Sequence, residues 1–156
     1  MTEIDPAAMR GELVGAEALI RYIYAGNSRF TVVSRKSGIR FTYRVKRKPD
    51  ATFWFVSLLA GPDNDDDSNY SYMGYIFGGA LDGDGVLRHG AGKAKVGVEA
   101  PSWALFSWFF RTLQDSPNKL SQAEFWHEGR CGRCARVLTV PESVAQGFGP
   151  ECIHYV

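Results

Sequence analysis

Three thiols carry the clearest chemistry in this chain. Cys131 and Cys134 form a C-x-x-C, and Cys152 follows after seventeen further residues, just past a Gly147-Phe148-Gly149-Pro150 turn. Thiolates at this spacing suit a tetrahedral Zn2+ ion. An odd set of three cysteines built around a C-x-x-C fits metal ligation better than a disulfide framework. Gly132 lets backbone N–H groups approach the sulfurs, and Arg130 and Arg133 favour thiolate over thiol. A fourth ligand is needed. His127 precedes the knuckle on an ordered lead-in and is the favoured choice. His154 competes with it, and Glu151, Glu128 or a water remain open. The expected role is structural, because no base or substrate pocket can be placed beside the cysteines.

The residues between the ligands have their own local logic. Thr139, Pro141 and Glu142 read as a capping box, with Thr139 as N-cap and Glu142 reaching back. The helix so started is short and stops at Gly147, and the double-glycine turn returns Cys152 to the knuckle. Closing this loop on a metal supplies folding energy that so short a piece cannot gather alone.

The segment CGRCARVLTVPESVAQGFGPEC resembles a short module of unknown function found in bacteriophage and mobile-element proteins. Cys131, Cys134, Arg136, Leu138, Thr139, Pro141, Ser143, Gly147, Gly149, Pro150 and Cys152 carry the likeness. Ala135 stands where that module usually has glycine. The upstream stretches AGNSRFTVVSRKSGIRFTYRV and WFVSLLAGPDN also look like phage and prophage sequences. The resemblance implies a zinc-binding accessory protein of phage or mobile-element origin, and it brings no established activity with it.

A second chemistry lies in the charge of residues 28–49. Arg29, Arg35, Lys36, Arg40, Arg44, Lys46, Arg47 and Lys48 fall here without a single acid. On an alternating strand Arg40, Arg44 and Lys46 share one face, opposite Ile39, Phe41, Tyr43 and Val45. Such a face can track phosphates with salt-dependent affinity, and nearby Tyr and Trp rings can stack on bases. The plainer reading is a solvated sheet face whose lysines discourage edge-to-edge pairing. The acidic Gly61–Asn69 loop would neutralise part of the patch.

The elements that position these groups follow from periodicity. Asp5-Pro6 opens a helix running to about Tyr24, with Met9, Leu13, Ile20 and Tyr24 near one face. Arg29–Arg35, Ile39–Arg47, Thr52–Leu59 and Tyr70–Phe77 read as strands joined by turns at Ser37-Gly38, Pro49-Asp50 and the acidic loop, which makes an antiparallel meander. Thr52–Leu59 is apolar on both faces and reads as a central strand. Residues 80–97 hold one or two short strands around Asp82-Gly83-Asp84-Gly85. Pro101-Ser102 opens a helix rich in Trp and Phe that ends near Asp115, and Leu120–Trp126 reads as a shorter helical piece. The expected fold is α+β: an antiparallel meander sheet, an N-terminal helix and an aromatic helix packed on it, and a C-terminal zinc-binding module. Residues 1–120 form the body and residues 121–156 the module packed against it.

Composition bounds the function. The chain has 156 residues, is 45% hydrophobic and carries a formal charge of +1, which suits one globular core and gives no global signature for nucleic acid or membrane. No apolar run is long enough to span a bilayer, and the mixed, acidic start is unlike a secretory leader, so the expectation is a cytoplasmic protein without a membrane partner. Asp63, Asp65 and Asp67 alternate as calcium ligands do, but the required glycine and distal glutamate are missing. Gly90-Ala91-Gly92-Lys93 lacks the first glycine and the hydroxyl of a P-loop. No catalytic constellation stands out, so a non-enzymatic, zinc-stabilised protein that binds nucleic acid through the basic hairpin is expected. The alternative is a protein–protein module that blocks or recruits a host complex, using the aromatic helix or the hairpin.

Overall fold

The structure is a computed structural model, and it describes residues 10–48, 52–63, 66–78 and 86–156. Asp5-Pro6, Met9, the Pro49-Asp50 turn, Asp65 and the Asp82–Gly85 turn lie outside the described residues. The fold is α+β, a seven-stranded antiparallel sheet with helices on one face. In chain order the elements are β1 (Glu12–Leu13), α1 (Ala16–Ile23), β2 (Asn27–Ser34), β3 (Arg40–Arg47), β4 (Phe53–Leu59), β5 (Tyr70–Phe77), β6 (Leu87–His89), α2 (Pro101–Asp115), β7 (Ala123–His127) and α3 (Pro141–Gln146). The order across the sheet is β1-β7-β2-β3-β4-β5-β6.

The meander β2–β5 forms as its alternation predicts. Ser28, Phe30 and Val32 of β2 and Tyr43 and Val45 of β3 turn inward and are buried. They meet Phe106, Phe109, Phe110 and Leu113 of α2 in one core. The Tyr43 hydroxyl donates to the Ser102 carbonyl at 2.7 Å, which fixes the first turn of α2 over the sheet. Strand β4 lies between β3 and β5, as its apolar character implies. Among the described residues, helices cover one of its faces: Trp54 and Val56 are buried there, while Phe53 is 37% exposed on the other.

Two elements depart from the periodicity. The N-terminal helix does not run through residues 10–15. Gly11 and Gly15 have φ of 104° and 94°, outside the helical region, so β1 forms between them and α1 starts only at Ala16. Leu120–Trp126 is not helical beyond Gln122. A 3-10 segment, Pro117–Gln122, leads into β7, whose residues alternate between a buried Phe125 and His127 and an outward Glu124 and Trp126. This strand is long-range in origin, paired with β1 on one side and β2 on the other. A division at residue 120 therefore groups β7 with the C-terminal stretch, although its ladder pairs it with β1 and β2 of the body.

Candidate metal centre

Strand β7 delivers the chain to the cysteines. After His127, Gly129 turns the backbone at φ 80°, and an isolated bridge pairs Arg130 with Val137. The Cys131 N–H donates to the Arg136 carbonyl at 2.8 Å and the Ala135 N–H to the Cys131 carbonyl at 2.9 Å. These bonds close the C-x-x-C into a tight loop. Ala135 has a φ of 65°, a left-handed conformation that disfavours a side chain, and it occupies the position where the resembling module has glycine.

The loop is seated on the body by residues the sequence reading did not single out. Asn27, the first residue of β2, donates its N–H to the Gly132 carbonyl at 2.8 Å and its side-chain amide to the Arg133 carbonyl at 2.7 Å. Tyr22 of α1 is fully buried beneath the knuckle, and its hydroxyl donates to the Arg130 carbonyl at 2.8 Å. Burial holds that phenol far above its ordinary pKa, so it stays a neutral donor. A Cβ on Gly132 would stand 2.8 Å from the Tyr22 ring and 3.2 Å from Phe148, so only glycine lets the knuckle lie this close. The signal was present as a helical stripe, but Ile20 and Tyr24 drew it away from Tyr22.

Helix α3 begins at Pro141 with Val140 as N-cap, and no side chain caps it. Thr139 is therefore not the cap of a capping box: proline at the first helical position sets the entry one residue later. Gly147 ends the helix in the left-handed conformation at φ 81°, and its carbonyl accepts from the Gly132 N–H at 3.0 Å. Phe148 then inserts fully into the core against Tyr22, with ring centroids 5.7 Å apart, and Cys152 comes back to the knuckle.

The three sulfurs converge. Cys131, Cys134 and Cys152 offer Sγ atoms that all lie within 4.8 Å of one another. Zn–S bonds of about 2.3 Å in a tetrahedron put sulfurs roughly 3.8 Å apart, so a small closure completes the geometry. Burial alone would raise the Cys131 thiol pKa, but the backbone N–H groups of Cys134, Gly149 and Arg133 outweigh it and hold the thiol below its ordinary value. Cys134 is pushed upward, by burial and then by the neighbouring Cys131 and Cys152 sulfurs. A cation bound among the three sulfurs would favour their thiolate forms. Arg133 reaches Cys152 Sγ at 3.5 Å and stacks over Tyr155, its guanidinium carbon 4.5 Å from the ring centroid. Cys131 and Cys152 are buried and Cys134 is exposed. The sulfurs open on a cleft of about 550 Å³ lined by Val137, Val140, Pro150 and Glu151 among others. The donor set fits a metal that prefers thiolate, held by three protein ligands.

His127 does not join them. Its Nδ1 accepts from the Gly129 N–H at 3.0 Å, which leaves the proton on Nε2, and Nε2 donates to the Val144 carbonyl at 2.6 Å. With both ring nitrogens engaged and the ring 4% exposed, His127 is a strut between β7 and α3. His154, exposed on the 3-10 turn after Cys152, is not in the group either. Glu128 accepts from Thr31 on the outer face of the sheet. Of the named alternatives, Glu151 shares the cleft with the cysteines.

The predicted basic residues divide. Arg29, Arg40, Arg44 and Lys46 lie on the sheet face turned away from the helices, with Arg29 directly opposite Arg44 and Val33 opposite Arg40. Arg29 and Arg44 are held by Asp67 at 2.9 and 2.8 Å. Arg35 pairs with Glu124 at 3.7 Å, and Lys36 is exposed in the following turn. Arg47 leaves this face: one residue beyond Lys46, it sits over Trp54, 5.3 Å from the ring centroid.

Residues 121–156 match the model of a family of unknown function (DUF6011). No curated protein and no solved structure matches the chain. Among the described residues, no helix is long and apolar enough to cross a membrane.

Proposed function

We propose that the protein is a non-enzymatic accessory factor, stabilised by Zn2+ at Cys131, Cys134 and Cys152, that binds single-stranded nucleic acid on the outer face of its sheet. One observation carries the reading. The face left uncovered by α1 and α2 joins a basic half to an aromatic half. Arg40, Arg44 and Lys46 line β3, and Phe53, Phe55, Tyr72, Tyr75 and Phe77 follow on β4 and β5. Phe53 touches Tyr75 and Phe77 with centroids 5.6 and 5.2 Å apart, and Phe55 meets Tyr72 at 5.9 Å. Phe77 is 46% exposed. Guanidinium and ammonium groups next to exposed rings suit a strand whose phosphates run over one half and whose bases stack on the other. The resemblance of the cysteine segment to modules of phage and mobile-element proteins supports an origin among such proteins.

The test is fluorescence anisotropy with labelled single-stranded DNA, single-stranded RNA and duplex DNA across a salt series. Binding should favour the single strands, weaken steeply with salt, and lose about one unit of log–log slope for each of Arg40, Arg44 and Lys46 replaced by Ala. Absence of binding at low salt would defeat the reading. A second reading, a protein-binding module, has its own observation: Trp108 of α2 and Ile39 are 36% and 46% exposed and border one groove with Lys36 and Leu105. Loss of partner capture on Trp108→Ala, with nucleic-acid binding absent, would favour it.

A further inference from the structure

Arg29 and Arg44 are cross-strand neighbours, two like charges placed directly opposite each other. Left alone, that pairing destabilises a sheet. Here both guanidiniums lie over one ring, that of Tyr70, with their central carbons 5.3 and 4.8 Å from its centroid. Both donate to the same atom, Asp67 Oδ1, at 2.9 and 2.8 Å. The arginine side chains are only 13% and 19% exposed, whereas Asp67 is 71% exposed. The cations are thus built into the face, and the anion reaches them from a surface loop.

The loop is independently constructed. Asp67 opens a 3-10 turn, Asp67–Asn69, capped by Asp66, whose carboxylate accepts from the Ser68 N–H at 2.9 Å and the Ser68 hydroxyl at 2.7 Å. These bonds lower the Asp66 pKa, so the cap stays ionised at neutral pH. The turn therefore does not depend on Asp67 gripping the arginines. Two guanidiniums are fixed side by side on an aromatic ring and converge on one carboxylate oxygen. Guanidiniums so placed match the paired non-bridging oxygens of a phosphodiester.

From this geometry we propose that Arg29, Arg44 and Tyr70 form a phosphodiester-binding site on the outer face, and that Asp67 occupies it in the free protein as a displaceable stand-in for phosphate. This rests on the single-stranded nucleic-acid reading above and adds to it. A backbone phosphate entering the site exchanges with the Asp67 carboxylate, which moves into water without any covalent step. The acidic loop then acts as a threshold, turning away weak anions and yielding to a strand that also engages Lys46 and the β4–β5 rings.

The experiment compares the full chain, Asp67→Asn, and Asp63→Asn, which removes one charge from the same loop. The probe is a fluorescein-labelled oligothymidylate, titrated at several salt concentrations. Asp67→Asn should bind roughly three- to fivefold tighter than the unaltered chain, the size of an exposed ion pair released. Asp63→Asn should change affinity less. Adding Arg29→Ala and Arg44→Ala to Asp67→Asn should abolish the gain, with thermal melts confirming that this variant folds. Equal affinity of Asp67→Asn and the unaltered chain overturns the site while leaving the nucleic-acid reading intact. An equal gain in Asp63→Asn also overturns it, showing only general repulsion. Absence of binding by every protein removes both.

Discussion

Ala135 shows at the scale of one residue how the knuckle is held under constraint. Its backbone is left-handed at φ 65° where the Cys131 N–H donates to the Arg136 carbonyl and the Ala135 N–H to the Cys131 carbonyl, the bonds that close the loop. An L-residue with a Cβ pays about 1 kcal/mol there, and glycine would not, although glycine also loosens the unfolded chain. Ala135→Gly should therefore raise stability by about 0.5–1 kcal/mol, read as a higher midpoint in urea denaturation of the metal-loaded protein. A lower midpoint would mean that the alanine methyl contributes packing that outweighs the strain. That the three thiols converge was legible at this scale, because their spacing reports local geometry. The role of His127 was not. His127 looked suitable by position, but what the ring does depends on Gly129 and Val144, and on a strand whose partners lie elsewhere in the chain.

Among the elements, α3 is joined to the sheet through a buried polar contact. His127 of β7 joins it through the Val144 carbonyl, and burial is the main cause that lowers the imidazole pKa, with the Val144 bond and Glu128 opposing it. The ordinary value is about 6.5. Because folding lowers it, the neutral ring contributes stability that is complete above the unfolded value. That stability is lost as pH falls through the lower folded value. The melting temperature should thus decline below about pH 6.5, and His127→Gln, which keeps a donor and an acceptor without titrating, should flatten part of that decline. An identical pH slope in the two proteins would show that the ring is not the titrating group. The meander was legible at this scale because its alternation is local. Strand β7 was not, since LSQAEFW has no strict alternation of its own and is made a strand by pairing with both β1 and β2. The N-terminal helix was overextended for a related reason: a stripe of apolar residues can be drawn through Gly11 and Gly15, but their positive φ breaks it.

For the molecule as a whole, the two candidate regions lie apart. The cysteine cluster closes the end of the chain over Tyr22 and the start of β2, and the outer face of β2–β5 is the one turned away from α1 and α2. The α+β class followed from the sequence because helices and strands carry different periods. That the basic and aromatic residues share one face did not, because it depends on the register from β2 through β5. The three thiols are held by α1, β2, β7 and α3 together, so a metal placed among them ties those elements to one another. Removing it should loosen all of them and lower the melting temperature by an amount on the order of 10 °C. Whether Cys131, Cys134 and Cys152 hold a metal is decided by elemental analysis of the purified full chain beside Cys131→Ser. About one equivalent of zinc per chain is expected, absent from the variant, which also melts lower. A metal-free chain that melts at the same temperature with and without added zinc would contradict that expectation.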